Sequence, residues 1–398
     1  MTAGKQRQGN HEIRYPTFAA RTRALAPGRL FDLLREARGY DAIDLALGIP
    51  GAPTPPAAMI DAACTALRFG DNQYEVPDGN PGLRRQIARM LATPADPATE
   101  LTITAGATEG LHTAVLSVVD PGDEVVVFEP VYENFFSAIA LAGGVPRLVR
   151  SHPPHWRFDP AELRAAFGPR TRAIVISTPN NPTGHVLTAD ELAEIAELCT
   201  RWNAVVISDE IYSAFVFDGN RHISAADVPG LRDRSLVVGS LSKSHAVSGW
   251  RIGYLRASAS LTAVLRRVHV AVCGGAPGPL QHAAAEAAAL DPEFGRPADD
   301  LSAQRHRVVK IFADLGFRCV PPDGGCYLMA DIRPYTDEDC ETTAHQLVKR
   351  ARVLVAPGRF FHFAPGLGDE YVRIAFNREP ALLDEVARRL APGHLAHR

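Results

Sequence analysis

A lysine set among serines carries the first chemical expectation. In Ser240-Leu-Ser242-Lys243-Ser-His-Ala-Val-Ser-Gly-Trp-Arg251 the amine of Lys243 stands beside hydroxyls, with a guanidinium eight residues on. An amine so placed can condense with a carbonyl, and nearby positive charge lowers its pKa and eases imine chemistry. Lys243 would form a Schiff base with a small aldehyde. Ser240, Ser242 and Arg251 make a donor set for a phosphate dianion, the arginine through a charge-assisted fork. A solvated loop is the plainer reading of the same residues.

Three further segments offer matching chemistry. Asp209, in Ser208-Asp209-Glu210-Ile-Tyr212, is a carboxylate that would keep a pyridine nitrogen protonated, and so make the ring an electron sink. As a bare residue it also fits a helix N-cap. Tyr212 would donate to a phenolate oxygen on that ring, and Asn181, in Thr178-Pro-Asn-Asn181-Pro-Thr-Gly184, would reach the same oxygen. Glu210 reads as structural. Thr104-Ala-Gly106-Ala107-Thr108-Glu-Gly110 opens a helix, whose free N–H groups suit a phosphate. Tyr132 is either core or a ring stacked on a flat cofactor.

These groups need elements to hold them. Glu124 to Phe128, Ala173 to Ser177, Ala204 to Ser208 and Ser235 to Gly239 are short, apolar and β-branched, as expected of parallel strands buried on both faces. Asp209 and Asn181 follow such strands directly, where open α/β sheets place ligands. Thr188 to Trp202 starts with a Thr-x-x-Glu capping box and keeps Leu192, Ile195, Ala196 and Cys199 on one face. The expectation is a three-layer α/β/α large domain with a mainly parallel sheet over residues 51–290. Residues 291–398 read as a smaller α+β domain: a helix around Pro297 to Leu315, strands near Gly325 to Asp331 and Tyr371 to Phe376, and helices near Thr342 to Arg350 and Glu379 to Leu390. Residues 1–50 form an N-terminal arm and part of that small domain, through a helix at Leu30 to Arg38.

The 398 residues suit two domains, and 46% hydrophobic content supports a large core. A net charge of -3 gives no reason to expect nucleic acid or an anionic membrane as partner. Six scattered cysteines form no C-x-x-C pair, so no metal site is read from them and a reducing, cytoplasmic setting is expected. No apolar h-region and no long apolar run point to a signal peptide or a membrane span.

Taken together, the motifs resemble the class I/II aminotransferases of the fold-type I pyridoxal-phosphate enzymes. Asn181, Asp209, Tyr212, Lys243 and Arg251 occur in the family's order and spacing, and the likeness runs from about Asp44 to Arg378. The resemblance implies pyridoxal 5'-phosphate as cofactor, Lys243 as Schiff-base lysine and proton shuttle, and Asp209 as partner of the pyridine nitrogen. It implies that Asn181 and Tyr212 bond the ring oxygen, that Tyr132 stacks on the ring, and that Ala107, Thr108, Ser240 and Arg251 bind the phosphate. Tyr74 resembles the tyrosine that reaches the neighbouring subunit's phosphate, so a homodimer with shared active sites is implied. Arg373, in Tyr371-Val-Arg373-Ile-Ala-Phe376, resembles the clamp for a substrate α-carboxylate, and Gly48 the glycine that lines the substrate mouth.

The implied reaction moves an amino group from an L-amino acid to a 2-oxo acid in ping-pong order, with Lys243 carrying the Cα proton. Carbon–sulfur lyases, cyclases and oxidases share the scaffold and stand as the alternative; a non-catalytic ligand sensor is a remote one. The kynurenine, glutamine and methionine branch fits best, on Val216-Phe-Asp218-Gly219 and Arg221-His222. Tyr132, Leu47, Ile49 and Arg251 depart from that branch's usual residues. The sequence offers no dedicated second arginine for a side-chain carboxylate, so aspartate is not the first donor expected. Glu133, His245, Cys326 and Tyr327 are secondary candidates near the site. His152-Pro-Pro-His155 reads as a surface turn rather than a metal site.

Overall fold

The computed structural model describes residues 19–391, apart from 26–27, 71, 292–293, 295–300 and 365. Residues 1–18 of the arm expected over residues 1–50 lie outside the described residues, as does the expected helix start at Pro297; the described helix runs Ser302–Leu315.

Eight strands form the main sheet. Across it lie Leu101–Ala105, Ile252–Arg256, Ser235–Ser240, Val205–Asp209, Thr171–Ser177, Glu124–Glu129, Val145–His152 and Arg157–Phe158. The four central pairings, from Ser235–Ser240 through to Val145–His152, are parallel. The three outer pairings are antiparallel. All six side chains of the Glu124–Glu129 strand and all six of Ser235–Ser240 are buried, as strands covered on both faces require.

Alternation along these strands sorts the core into two layers. Val126, Phe128, Ile174, Ile176, Val206 and Val237 pack on one side, against Leu192, Ile195 and Cys199 of the helix Ala189–Arg201. Val125, Val127, Ala173, Val175, Ile207 and Val238 face the other way, toward the helices Gly106–Val118 and Glu133–Ala142. The capping box that starts Ala189–Arg201 is formed: Thr188 accepts from Glu191 N, and Glu191 accepts from Thr188 N.

A second, four-stranded antiparallel sheet follows, in the order Arg318–Cys319, Tyr327–Asp331, Tyr371–Ala375, Ala356–Pro357. The helices Ser302–Leu315, Cys340–Ala351 and Pro380–Leu390 share one core with it, through Val308, Phe312, Leu347, Leu383 and Val386. Leu30, Leu33 and Leu34 of the helix Arg29–Gly39 enter the same core. A two-residue parallel ladder then joins Ile43–Asp44 to Val353–Leu354 and leads the chain into the segment Asp44–Ile49. That segment is how the early chain reaches the carboxyl ends of the main sheet's strands.

Candidate active site

One cleft opens at those strand ends, and it gathers the groups the sequence singles out. Gly48, Ala107, Thr108, Tyr132, Asn181, Asp209, Tyr212, Ser240, Ser242, Lys243, Arg251 and Arg373 all line it. Gly106 lies just behind, and Tyr74 is elsewhere, 96% exposed on this chain's surface.

At one end the helix Gly106–Val118 starts against Arg251. Gly106 has a left-handed φ of +77°, and a Cβ there would overlap the Arg251 guanidinium. A Cβ on Gly253 would sit 2.6 Å from the Gly106 carbonyl carbon. Only glycines let the helix start, the arginine and the Ile252–Arg256 strand come this close. Ser240 ends its strand as an N-cap, accepting from Ser242 N at 3.0 Å, with the two hydroxyl oxygens 2.8 Å apart. Helix N–H groups, two hydroxyls and a guanidinium thus converge, a donor set that fits a phosphate dianion.

Mid-cleft, Asp209 is buried. Burial pushes its carboxyl up to about 7; one backbone N–H from Ile211, at 3.3 Å, and the charge of Lys243 offset this only in part, while Glu210 adds to it. Such a carboxylate calls for a cation beside it, and a pyridinium nitrogen fits that demand. Glu210 is the opposite case. Burial alone would raise it, but His222 at 3.0 Å, the Ala225 N–H and the Ser208 hydroxyl hold it below the usual carboxylate range. Behind the cleft it braces the turn that carries Asp209, which fits its structural reading. Tyr212 is buried, its phenol pushed well up by burial. Its ring meets Tyr327 edge-on at 6.0 Å. Tyr132 accepts from Asn134 Nδ2 at 2.7 Å and lies edge-on to Phe135.

Lys243 Nζ donates to the Gly48 carbonyl at 2.8 Å. Gly48 is hemmed in: a Cβ there would overlap the Tyr327 hydroxyl. Arg373, far from an exposed strand residue, is 3% exposed. It donates to Asn181 Oδ1 at 2.8 Å and to the Ala46 carbonyl at 2.5 Å. Its guanidinium lies over the rings of Tyr327, at 4.0 Å, and Phe361, at 4.3 Å. Its Nε has no partner among the described residues. A guanidinium flanked by aromatic faces and short of acceptors fits a carboxylate of an incoming ligand. The residues present therefore fit pyridoxal phosphate plus a carboxylate.

Several lining residues were not singled out from sequence. Leu30, Phe31, Phe360 and Phe361 come from segments distant in the chain. Arg378 donates to the carbonyls of Asp44, Leu47 and Ile49, pinning the mouth segment from behind. Nothing in the local sequence announces it beyond its place five residues past Arg373. Of the secondary candidates, Glu133 and Tyr327 line the cleft. Cys326 lies under Gly48 without reaching the lining. His245 is turned away, bonded to Ser244 Oγ and to the Phe294 carbonyl, and burial pushes it down to about 4. His152 ends the strand Val145–His152 and pairs with Glu162, and the turn that holds Pro153, Pro154 and His155 follows it.

Residues 40–390 match the family described as aminotransferase class I and II. The chain is similar to the probable N-succinyldiaminopimelate aminotransferase DapC of Mycobacterium tuberculosis, 37% identical over 88% of this chain and 92% of that protein. It is similar to the arginine–pyruvate transaminase AruH of Pseudomonas aeruginosa, 35% identical over 90% and 91%. It is also similar to kynurenine–oxoglutarate transaminase 1 of Mus musculus, 30% identical over 90% and 93%. Among solved structures, the N-succinyldiaminopimelate aminotransferase of Mycobacterium tuberculosis superposes with a TM-score of 0.89, at 34% identity, over 94% of this chain and 99% of that one.

Proposed function

We propose that Lys243 carries the chemistry of this chain, which belongs to the aminotransferase class I and II family and is a pyridoxal-phosphate-dependent transaminase. When bound, the cofactor supplies an aldehyde that condenses with amines and a cationic ring that accepts electrons from the bond broken at Cα. All else falls to the residues of the cleft. The Gly106 helix start, Ala107, Thr108, Ser240, Ser242 and Arg251 hold the phosphate. Asp209 would pair with the ring nitrogen, Tyr212 and Asn181 would bond the ring oxygen, and Tyr132 would cover the ring. Arg373 fixes the substrate carboxylate. Holding the substrate carboxylate on Arg373 would fix the orientation of the Cα–H bond toward Lys243. Lys243 Nζ would carry the Cα proton. The observation that supports this reading is one cleft in which a lysine amine, a buried carboxylate and an under-bonded buried arginine all face the same space.

The relatives' names point to three kinds of side chain: a distal carboxylate, a guanidinium and an aromatic ketone. The cleft narrows the choice. Among its described lining residues the arginines are Arg251 and Arg373, both assigned above. Leu30, Phe31, Leu47, Ile49 and Phe360 give the mouth a largely apolar wall, with Glu133 as its one further ionisable lining residue among those described. We therefore place donors with a long, largely apolar side-chain stem ahead of aspartate. We read the chain as a homodimer with Tyr74 serving the partner's site, as two domains over residues 51–290 and 291–398 with residues 1–50 partly joined to the second, and as cytoplasmic.

Reduction with borohydride followed by peptide mass mapping tests the assignment of Lys243. The expected result is one cofactor-sized addition, on the peptide that holds Lys243, absent from Lys243→Ala. An addition on another lysine would overturn it.

A further inference from the structure

A second cluster lies outside the cleft. His269 and Cys273 stand four residues apart on one face of the helix Ala259–Cys273, and Glu109 faces them from the first turn of Gly106–Val118. One donor atom from each lies within 4.8 Å of the others. His269 Nδ1 is 3.0 Å from Glu109 Oε1 and 3.6 Å from Cys273 Sγ.

The imidazole's other nitrogen fixes what this means. His269 Nε2 lies 3.0 Å from the Pro77 carbonyl, which can only accept, so Nε2 carries a hydrogen. Nδ1 then faces a carboxylate oxygen and a thiol sulfur, so three ligand atoms converge on one point, where a hydrogen or a metal ion can bridge them. A tetrahedral zinc ion with usual bonds to nitrogen, sulfur and oxygen would hold its ligand atoms about 3.3–3.6 Å apart; the 3.6 Å between Nδ1 and Sγ matches this, the 3.0 Å between Nδ1 and Oε1 would open slightly, and all three donor atoms lie within 4.8 Å of one another. A carbonyl that fixes the tautomer of a ligating histidine is also the support metal sites recur with.

We propose that Glu109, His269 and Cys273 bind a divalent, thiolate-accepting metal ion, zinc by preference, with a fourth position left to water. Thiolate and carboxylate together cancel the ion's charge, so holding it against the fully buried His269 leaves no net buried charge. On binding, the thiol proton leaves for solvent, with the Nδ1 proton where one is present, and Zn–S, Zn–N and Zn–O bonds form; no electron is transferred. Glu109 Oε2 also accepts from Ala105 N, at the base of the Gly106 turn. The ion would therefore stiffen the start of the helix that faces Arg251.

The test uses holoenzyme stripped with a chelator, then given Zn²⁺ or Co²⁺ alone and passed through a desalting column. About one ion per chain should stay bound, and the cobalt form should show thiolate-to-metal absorption. Cys273→Ser should lose both, while Cys64→Ser, which alters another exposed thiol, should keep both. Retention of no ion would overturn the site. Equal retention or absorption in Cys273→Ser would overturn it as well. The readout is metal content and spectrum, so it is independent of the transaminase reaction.

Discussion

At the scale of single residues, Asp209 is the most exacting placement. Its folded-state pKa of about 7 lies above the roughly 4 of an unfolded carboxyl. In the cofactor-free protein, protonated Asp209 therefore contributes stability in full below about pH 4, and that contribution is lost as pH rises through about 7. The loss is on the order of 4 kcal/mol. Cofactor-free protein should melt at falling temperature from pH 5 to pH 8, and Asp209→Asn should flatten the slope; an equal slope in both would refute the assignment. A cation across from Asp209 reverses the shift, so bound cofactor should also flatten it. Arg373 makes a different prediction. Arg373→Gln removes a buried, hydrogen-bonded charge, and should lower kcat/KM by about 2–4 kcal/mol, roughly 30- to 1,000-fold, while the cofactor spectrum stays as it was. Steady-state kinetics beside an absorbance scan would separate the two. Both residues were legible in sequence because family spacing marks them. Of the rings that flank Arg373, Tyr327 was legible only as a secondary candidate and Phe361 not at all: Phe361 reaches it across a loop and Tyr327 across a sheet pairing, and neither separation is periodic.

At the scale of elements, the sequence spoke clearly where period and caps agree. Burial on both faces made the four central parallel strands readable as apolar runs, and the Thr188 capping box marked its helix to the residue. Thr188→Ala should cost about 1 kcal/mol, visible as a lower melting temperature with transamination unchanged; lost activity at full stability would show that the helix does more than cover the sheet. Strand direction was less legible. Ile252–Arg256 runs antiparallel between two neighbours, yet its apolar residues look like those of any buried strand. The pairing of Ile43–Asp44 with Val353–Leu354 joins residues some three hundred positions apart, and two-residue ladders leave no pattern to read. That ladder matters here, since it aims the Asp44–Ile49 segment at Lys243.

At the scale of the molecule, one cleft on a single chain gathers the proposed site residues except Gly106, just behind it, and Tyr74, which is proposed to serve a neighbour. Its exposure on a single chain is what a residue serving a neighbour would show. Mixing Lys243→Ala with Tyr74→Ala protein should restore activity that each lacks or has reduced alone, because one hybrid site then holds an intact lysine and an intact tyrosine. No gain on mixing would argue that each chain works by itself. The most direct measurement of the central claim follows the cofactor through half the reaction. Holoenzyme mixed with an amino acid, and no 2-oxo acid, should lose the visible absorbance of lysine-bound cofactor, gain the near-ultraviolet absorbance of its amine form, and release one 2-oxo acid per site. Added 2-oxo acid should reverse the change, and Lys243→Ala should not turn over. Product formed while the visible absorbance persists, or no change with any amino acid, would contradict a transaminase working through Lys243.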